Sequence, residues 1–247
     1  MVWLSIVPTQ ICPIDAEQFG VIAGRTTMIR TPSNGHAYVI EPDDMTIGVS
    51  NTDRDNRITV KNHCGMTVDG SPGDGKTFLL QSLTHVLTAN DYGRITVVDG
   101  ITGYSGSWDG EESEFVKVLN SDDAVEILPF LKDFENMIEE KKQVLVDECE
   151  VESFWQLSFL ERLMYDVRLD VLIIDELIDV IESAINPVAA AECVAAMKRL
   201  IDNSSDAGVL VVLSSSRMDL QPKDLIGRCS AHVKFLYHGV AETTEDD

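Results

Sequence analysis

Residues 67–80, TVDGSPGDGKTFLL, constrain this chain more than any other segment. A short apolar strand runs into a turn carrying Gly70, Gly73 and Gly75, and the turn gives way to Lys76, Thr77 and apolar residues at helical spacing. The stretch GSPGDGKT at 70–77 satisfies GxxxxGK[ST] at every fixed position, in the strand-to-helix setting that the pattern demands. Glycines let backbone N–H groups curl around a phosphate, the helix N-terminus adds partial positive charge, and a lysine reaches the β and γ phosphates. The segment that binds nucleotide is therefore Gly70, Ser71, Pro72, Gly73, Asp74, Gly75, Lys76, Thr77 and Phe78. Thr77 supplies a hydroxyl ligand for Mg²⁺. Asp74 is unusual in charge, yet it occupies a variable position where its side chain can point away.

Such a loop needs a partner, and DVLIIDEL at 170–177 supplies one. Four apolar strand residues end in Asp175 and Glu176. An acid at the carboxyl end of a strand holds the Mg²⁺ shell, and a second can polarise the attacking water. The expected ligands are ATP and Mg²⁺, with Thr77 and Asp175 as metal residues and with Lys76 and Glu176 as catalytic ones. Glu176 following directly on Asp175 favours an ATP-hydrolysing motor over a nucleotide kinase. The strand VLVVLSSSR is expected beside the loop strand, with Ser214, Ser215, Ser216 and Arg217 at the place of a γ-phosphate sensor.

The surrounding text reads as an α/β protein. HAYVI, MTIGV, RITV and GMTV are short strands separated by the turns PDD and NTDRDN. FLLQSLTHVLTAN has helical spacing, and RITVVDG is a buried strand ending in Asp99. Residues 100–114, rich in glycine and acid, read as an exposed loop. A long helix is expected from about 121, with Ser121 as N-cap and a kink at Pro129. A short amphipathic helix is expected over 153–167. Pro187 suits the first position of a helix that runs to Asp202. AHVKFLYH reads as the final strand, and AETTEDD as a solvated acidic tail. This order predicts a RecA-like P-loop NTPase fold, a mostly parallel sheet with helices on both faces and a β-rich N-terminal extension. The expected divisions are an extension over 1–44, an ATPase domain over 45–240 and a tail over 241–247.

Composition limits the partners. Asp and Glu number 42 against 19 Lys and Arg, a formal net charge of -23, which argues against a general polyanion-binding surface. It leaves room for a small local basic site. Five cysteines (Cys12, Cys64, Cys149, Cys193, Cys229) form no CxxC pair, so neither a disulfide framework nor a zinc site is indicated. His63, His85, His232 and His238 show no metal spacing. No apolar run approaches the ~18 residues of a membrane span, and the N-terminus lacks a basic n-region. A cytoplasmic protein with no membrane insertion is expected.

Laid in order, these segments resemble the FtsK/SpoIIIE branch of the FtsK and HerA motor ATPases, from roughly Met45 to His238. MTIGVSNTDRDNRITVKNHCGMTVDGSPGDGKT is similar to the strand, hairpin and loop that open the family's motor domain. DDAVEILPFLKDFENMIEEKKQVL is similar to its helix after the second strand, and VLIIDELIDVI to its acidic strand and following helix. DAGVLVVLSSSRMDLQPKDLIGRCSAHVKFL is similar to its sensor strand, "TQRP" turn and returning strand. The chain departs from the family at Ser216, where a glutamine is usual, and at Met218, where proline is usual. His232 falls near a position that is often arginine.

The resemblance implies an ATP-driven translocase of double-stranded DNA, acting as a ring of about six subunits. It also implies an arginine contributed by a neighbouring subunit. Of the ten arginines, Arg217 and Arg228 are the expected choices, both near the carboxyl ends of the strands. A viral genome-packaging ATPase is a near variant of this reading, and two others stay open, a protein-translocating ATPase of the type VII secretion kind and a non-motor nucleotide-binding assembly module.

Overall fold

LDVLIID at 169–175 and VLVVLSS at 209–215 are buried at every residue, and this decides the layering. A strand buried on both faces reads as an unbroken apolar run and belongs in the middle of a parallel sheet. The computed structural model describes residues 27–30, 37–41, 46–51, 54–59, 61, 63–89, 92–100, 108, 110–177, 181, 186–236 and 240–245. Its main sheet has seven strands: β5 (Gly65–Asp69), β6 (Gly93–Asp99), β7 (Val116–Asn120), β8 (Leu169–Asp175), β9 (Val209–Ser215), β10 (Ala231–Leu236) and β11 (Val240–Glu245). The order across the sheet is β11-β10-β5-β9-β8-β6-β7. Every neighbouring pair is parallel except β10 and β11.

Alternate residues of these runs face opposite layers, as the strand period of two requires. Leu169, Val171 and Ile173 join Leu210, Val212, Ile95, Val97 and Val68 in one core, together with Leu80, Leu83 and Leu87 of α1 (Lys76–Ala89). Leu172 and Ile174 join Val209, Val211 and Leu213 in the other. That second core is closed by α2 (Ala124–Asp147) through Ile127, Leu131 and Ile138, and by α4 (Pro187–Ser204) through Cys193, Met197 and Leu200. Helices thus cover both faces. β1 (Thr27–Arg30), β2 (Ala37–Glu41), β3 (Thr46–Asn51) and β4 (Arg54–Thr59) form a separate antiparallel sheet in sequential order. An expected boundary at 44/45 falls between β2 and β3 and so cuts through this sheet.

A buried cation ties the amino ends of the central strands to α2. Lys141 Nζ donates to Asp170 Oδ2 at 2.7 Å and to the backbone oxygens of Arg168 and Gly208. Arg94 Nε meets the other carboxylate oxygen at 3.0 Å.

Several expectations need correction. β7 was not anticipated: VKVLN at 116–120 pairs in parallel with Ile95–Asp99 of β6, directly after a turn in which Ser113 and Val116 exchange backbone hydrogen bonds. α2 begins at Ala124 with Asp123 as its cap, because the Asp123 carboxylate accepts from Val125 N, while the Ser121 hydroxyl donates to Glu126. The helix runs on through Pro129. The stretch 153–167 divides into a 3₁₀ turn (Phe154–Gln156) and α3 (Phe159–Met164), because Ser153 and Ser158 each begin a capping box. The acidic tail enters the sheet as β11, with Thr243 opposite Val233.

Candidate nucleotide site

The site forms at the carboxyl ends of the parallel strands. Asp69, Ser215, Asp175 and Asp99 end β5, β9, β8 and β6, and the registers pair Asp69 with Ser215 and Asp99 with Asp175. β9 lies between the loop strand and the acidic strand. The polar end of β9 is therefore placed between the two halves of the site.

The loop of residues 70–75 takes a shape that only glycine adopts freely at two of its positions. Gly73 has φ +87° and Gly75 has φ +100°. Side chains there would strain the turn that brings consecutive N–H groups to one side. Leu79 N donates to Gly75 O at 2.9 Å, so α1 starts directly from the loop. Ser71, Pro72 and Gly73 are exposed, as is Phe78. The Asp74 carboxylate accepts from Ser71 N at 2.7 Å, and Asp74 N donates back to Ser71 O at 3.1 Å. This short side chain closes a turn within the loop.

Lys76 is 4% exposed, and its ammonium crosses the loop to donate to Gly70 O at 2.8 Å and Ser71 O at 3.3 Å. It also sits 3.2 Å from Glu176 Oε1. Glu176 has φ +56°, a left-handed conformation uncommon for a residue with a side chain. The turn carries its carboxylate to the end of β9, where Ser216 N and Ser216 Oγ donate to Oε2 at 3.0 and 2.9 Å. Ser216 thus holds the glutamate from one side and Lys76 from the other.

Thr77 Oγ1 donates to Asp175 Oδ2 at 2.9 Å, across 98 residues of sequence. Asp175 is fully buried and its second oxygen, Oδ1, has no hydrogen-bond partner among the described residues. An unpaired carboxylate oxygen in such a place is costly unless a cation takes it up. A hydroxyl and one carboxylate, with the remaining positions left to phosphate and water, are the hard-oxygen set that suits Mg²⁺. Among the described residues no group of three or more His, Cys, Asp or Glu could hold a metal. The Thr77–Asp175 pair fits an ion shared with the nucleotide.

The two arginines separate. Arg217 follows β9 on the nucleotide side, and its backbone N–H donates to Ser215 Oγ at 3.1 Å. Arg228 lies on the opposite edge, because it precedes β10, whose first residue pairs with the start of β5. It forms an ion pair with Asp202 near the end of α4. The expectation that Arg228 is near the carboxyl ends fails for a geometric reason: in a parallel sheet the residue before a strand and the residue after one lie at opposite edges.

Two residues at the site were not anticipated. Trp108, in the stretch expected to be exposed, is 1% exposed, and its Nε1 donates to Asp175 Oδ2 at 3.1 Å. A lone tryptophan in SGSWDGEE was the available signal, since a large apolar side chain in a polar loop favours burial. Gln221, also buried, donates from Nε2 to Ser215 Oγ at 3.1 Å. It brings an amide near the sensor strand from five residues beyond the position where the resemblance places a glutamine.

A glycine turn leading into a helix, a buried lysine, and an acidic strand one place removed in a parallel sheet define a P-loop NTPase of RecA-like α/β type. A sequence profile of the ATPase family associated with various cellular activities (AAA) matches residues 66–237, and the chain belongs to that family. It is an ATP-binding, NTP-hydrolysing enzyme domain. No curated protein matches it by sequence. Its fold is similar to that of the pCW3 conjugation coupling protein TcpA in its monomer form with ATPγS, at TM-score 0.62 and 13% identity over 84% of this chain and 56% of that one. It is similar to Thermomonospora curvata EccC (ATPases 2 and 3) in complex with a signal sequence peptide, at TM-score 0.60 and 15% identity over 94% and 42%. EssC (ATPases 2 and 3) from Geobacillus thermodenitrificans gives TM-score 0.55 and 14% identity over 91% and 40%. The chain therefore spans little more than half of the first of these proteins and less than half of the others. Identities this low bear on the fold alone.

Proposed function

We propose that the chain is the motor domain of an FtsK-like translocase that uses ATP and Mg²⁺ to move double-stranded DNA, working as a ring of about six subunits in the cytoplasm. The observation that carries the hydrolytic part is the meeting of Lys76, Glu176 and Ser216 at the end of β9. Lys76 exchanges Gly70 O and Glu176 for the β and γ phosphates when nucleotide enters the loop. Glu176 Oε1, released from the lysine, then orients and activates the attacking water, while Ser216 keeps the carboxylate aimed through Oε2. Thr77 and Asp175 would hold Mg²⁺, which would supply positive charge to the phosphates. Arg217, on the nucleotide edge, is the arginine that a neighbouring subunit contributes to the shared site.

The DNA reading is supported by the resemblance over Met45 to His238 and by the likeness in fold to a conjugation coupling protein. A net charge of -23 and the likeness to a secretion ATPase bound to a signal peptide favour a second reading, in which the moved substrate is a polypeptide. ATPase turnover with and without duplex DNA, across a range of salt, separates the two. The DNA reading expects stimulation that fades as salt rises, because phosphate contacts release counterions. Turnover indifferent to duplex DNA at low salt overturns it, and stimulation by a signal peptide in its place supports the second reading.

A further inference from the structure

Asp175 has two oxygens in unlike surroundings. Oδ2 accepts from Thr77 Oγ1 at 2.9 Å and from Trp108 Nε1 at 3.1 Å, whereas Oδ1 accepts from no group among the described residues. Two donors on one oxygen fix the torsion of a carboxylate, and the other oxygen is left in one defined direction. We propose that Trp108 is a positioning residue for the metal-binding carboxylate: its indole N–H holds Asp175 so that Oδ1 is the oxygen offered to Mg²⁺. The inference rests on the assignment of Asp175 as a metal residue above.

The chemistry of the side chain suits the task. An indole N–H donates and never accepts, so it neither ligates a cation nor competes for one. It is neutral, so it adds no repulsion, as a lysine in the same place would. Its ring is packed in the core that also contains Leu80 and Leu83 of α1, which removes the freedom to turn away. The backbone around it is also tied down. Glu111 N donates to Trp108 O at 3.1 Å, and Glu111 Oε2 lies 3.4 Å from His85 Nε2 on α1. α1 is the helix whose first turn carries Lys76 and Thr77. Trp108 is thereby linked through Glu111 to the phosphate-binding helix, and the donors of Trp108 and Thr77 converge on a single oxygen of β8.

The test separates metal binding from nucleotide binding. Trp108→Phe keeps an aromatic ring and deletes the N–H, and 3-benzothienylalanine at position 108 deletes it while keeping the bicyclic size. Affinity for a non-hydrolysable ATP analogue is measured in EDTA, and Mn²⁺ affinity in the presence of that analogue is measured by electron paramagnetic resonance. The expected result is unchanged metal-free nucleotide affinity with Mn²⁺ binding weakened on the order of tenfold, the scale of a hydrogen bond to a charged group. In an Asp175→Asn background the same change at Trp108 should add little, since the two act through one contact. Unaltered Mn²⁺ affinity in both position-108 variants overturns the proposal. Equal loss of metal-free and metal-dependent affinity also overturns it, because that is the signature of packing alone. If the unaltered protein binds nucleotide but shows no nucleotide-dependent Mn²⁺ site, the metal assignment of Asp175 falls and this inference with it. Failure to bind nucleotide at all refutes the loop reading instead.

Discussion

Replacing Lys141 with methionine keeps most of the side chain's length and apolar stem and removes only its charge and donors. In the folded protein Nζ meets three acceptors, Asp170 Oδ2 at 2.7 Å, Gly208 O at 3.1 Å and Arg168 O, and lies 4.9 Å from the centre of the Phe154 ring. Burial pulls the Lys141 pKa below that of an exposed lysine, against the opposing pull of Asp170. Without Lys141, Asp170 keeps Arg94 as an ion-pair partner, whose side chain is 44% exposed. Removing one member of a buried pair costs roughly 3–5 kcal/mol. The surviving Arg94 contact places Lys141→Met near the lower end, about 3 kcal/mol. Urea unfolding followed by circular dichroism measures it, with the slope checked for constancy so that the midpoint reports stability. Lys141→Met combined with Asp170→Asn should recover part of the loss, because no buried charge is then left without its partner. The contact lies at the amino end of β8 and the nucleotide site at its carboxyl end, so turnover per folded molecule should stay unchanged. A single variant within about 1 kcal/mol of the parent refutes the reasoning, and so does a double variant no more stable than the single.

Glu176→Gln should retain ATP binding and lose on the order of 10²-fold in turnover, whereas Lys76→Ala should lose nucleotide binding itself; equilibrium binding and steady-state ATPase assays on both variants check the division. Burial pushes the Cys193 thiol up to about 11 and the Cys229 thiol up to about 12, so the folded state keeps these protons after the unfolded chain, near pH 8.5, has released them. Stability from both is full below that pH and is lost as pH rises toward the folded values. Urea midpoints from pH 8 to 10.5 should therefore fall less steeply for Cys193→Ala and Cys229→Ala than for the parent, and parallel curves would contradict this. An Arg217→Ala variant mixed with Lys76→Ala should regain activity if the two residues serve one site from different chains. No recovery at any ratio, with ring assembly verified by sedimentation, counts against Arg217 acting in trans.

Much of the site was legible in the sequence because its constraints are local. The positive φ of Gly73 and Gly75, the helix start at Lys76 and the acid pair closing an unbroken apolar strand are consequences of a few adjacent residues. The alternation that sorts Val171 and Ile173 from Leu172 and Ile174 was in the sequence in the same sense, since a strand places neighbours on opposite faces. What escaped depended on residues far apart along the chain. β11 is short and polar in sequence and β7 is only five residues long, and each is placed by pairing with a neighbouring strand, β11 with β10 and β7 with β6. Arg228 resembled Arg217 by nearness to a core strand, and only the parallel direction of β10 against β5 sends it to the far edge. Trp108 sits in a glycine- and acid-rich stretch that reads as solvent-exposed. It is buried because the core beside α1 has room for an indole and because Asp175, 67 residues away, needs a donor. The sequence by itself determined which residues bend, cap and alternate, as these follow from torsions and nearest neighbours. Only the tertiary structure decided which distant polar groups meet, because a buried hydrogen bond requires two partners that the fold alone brings within 3 Å.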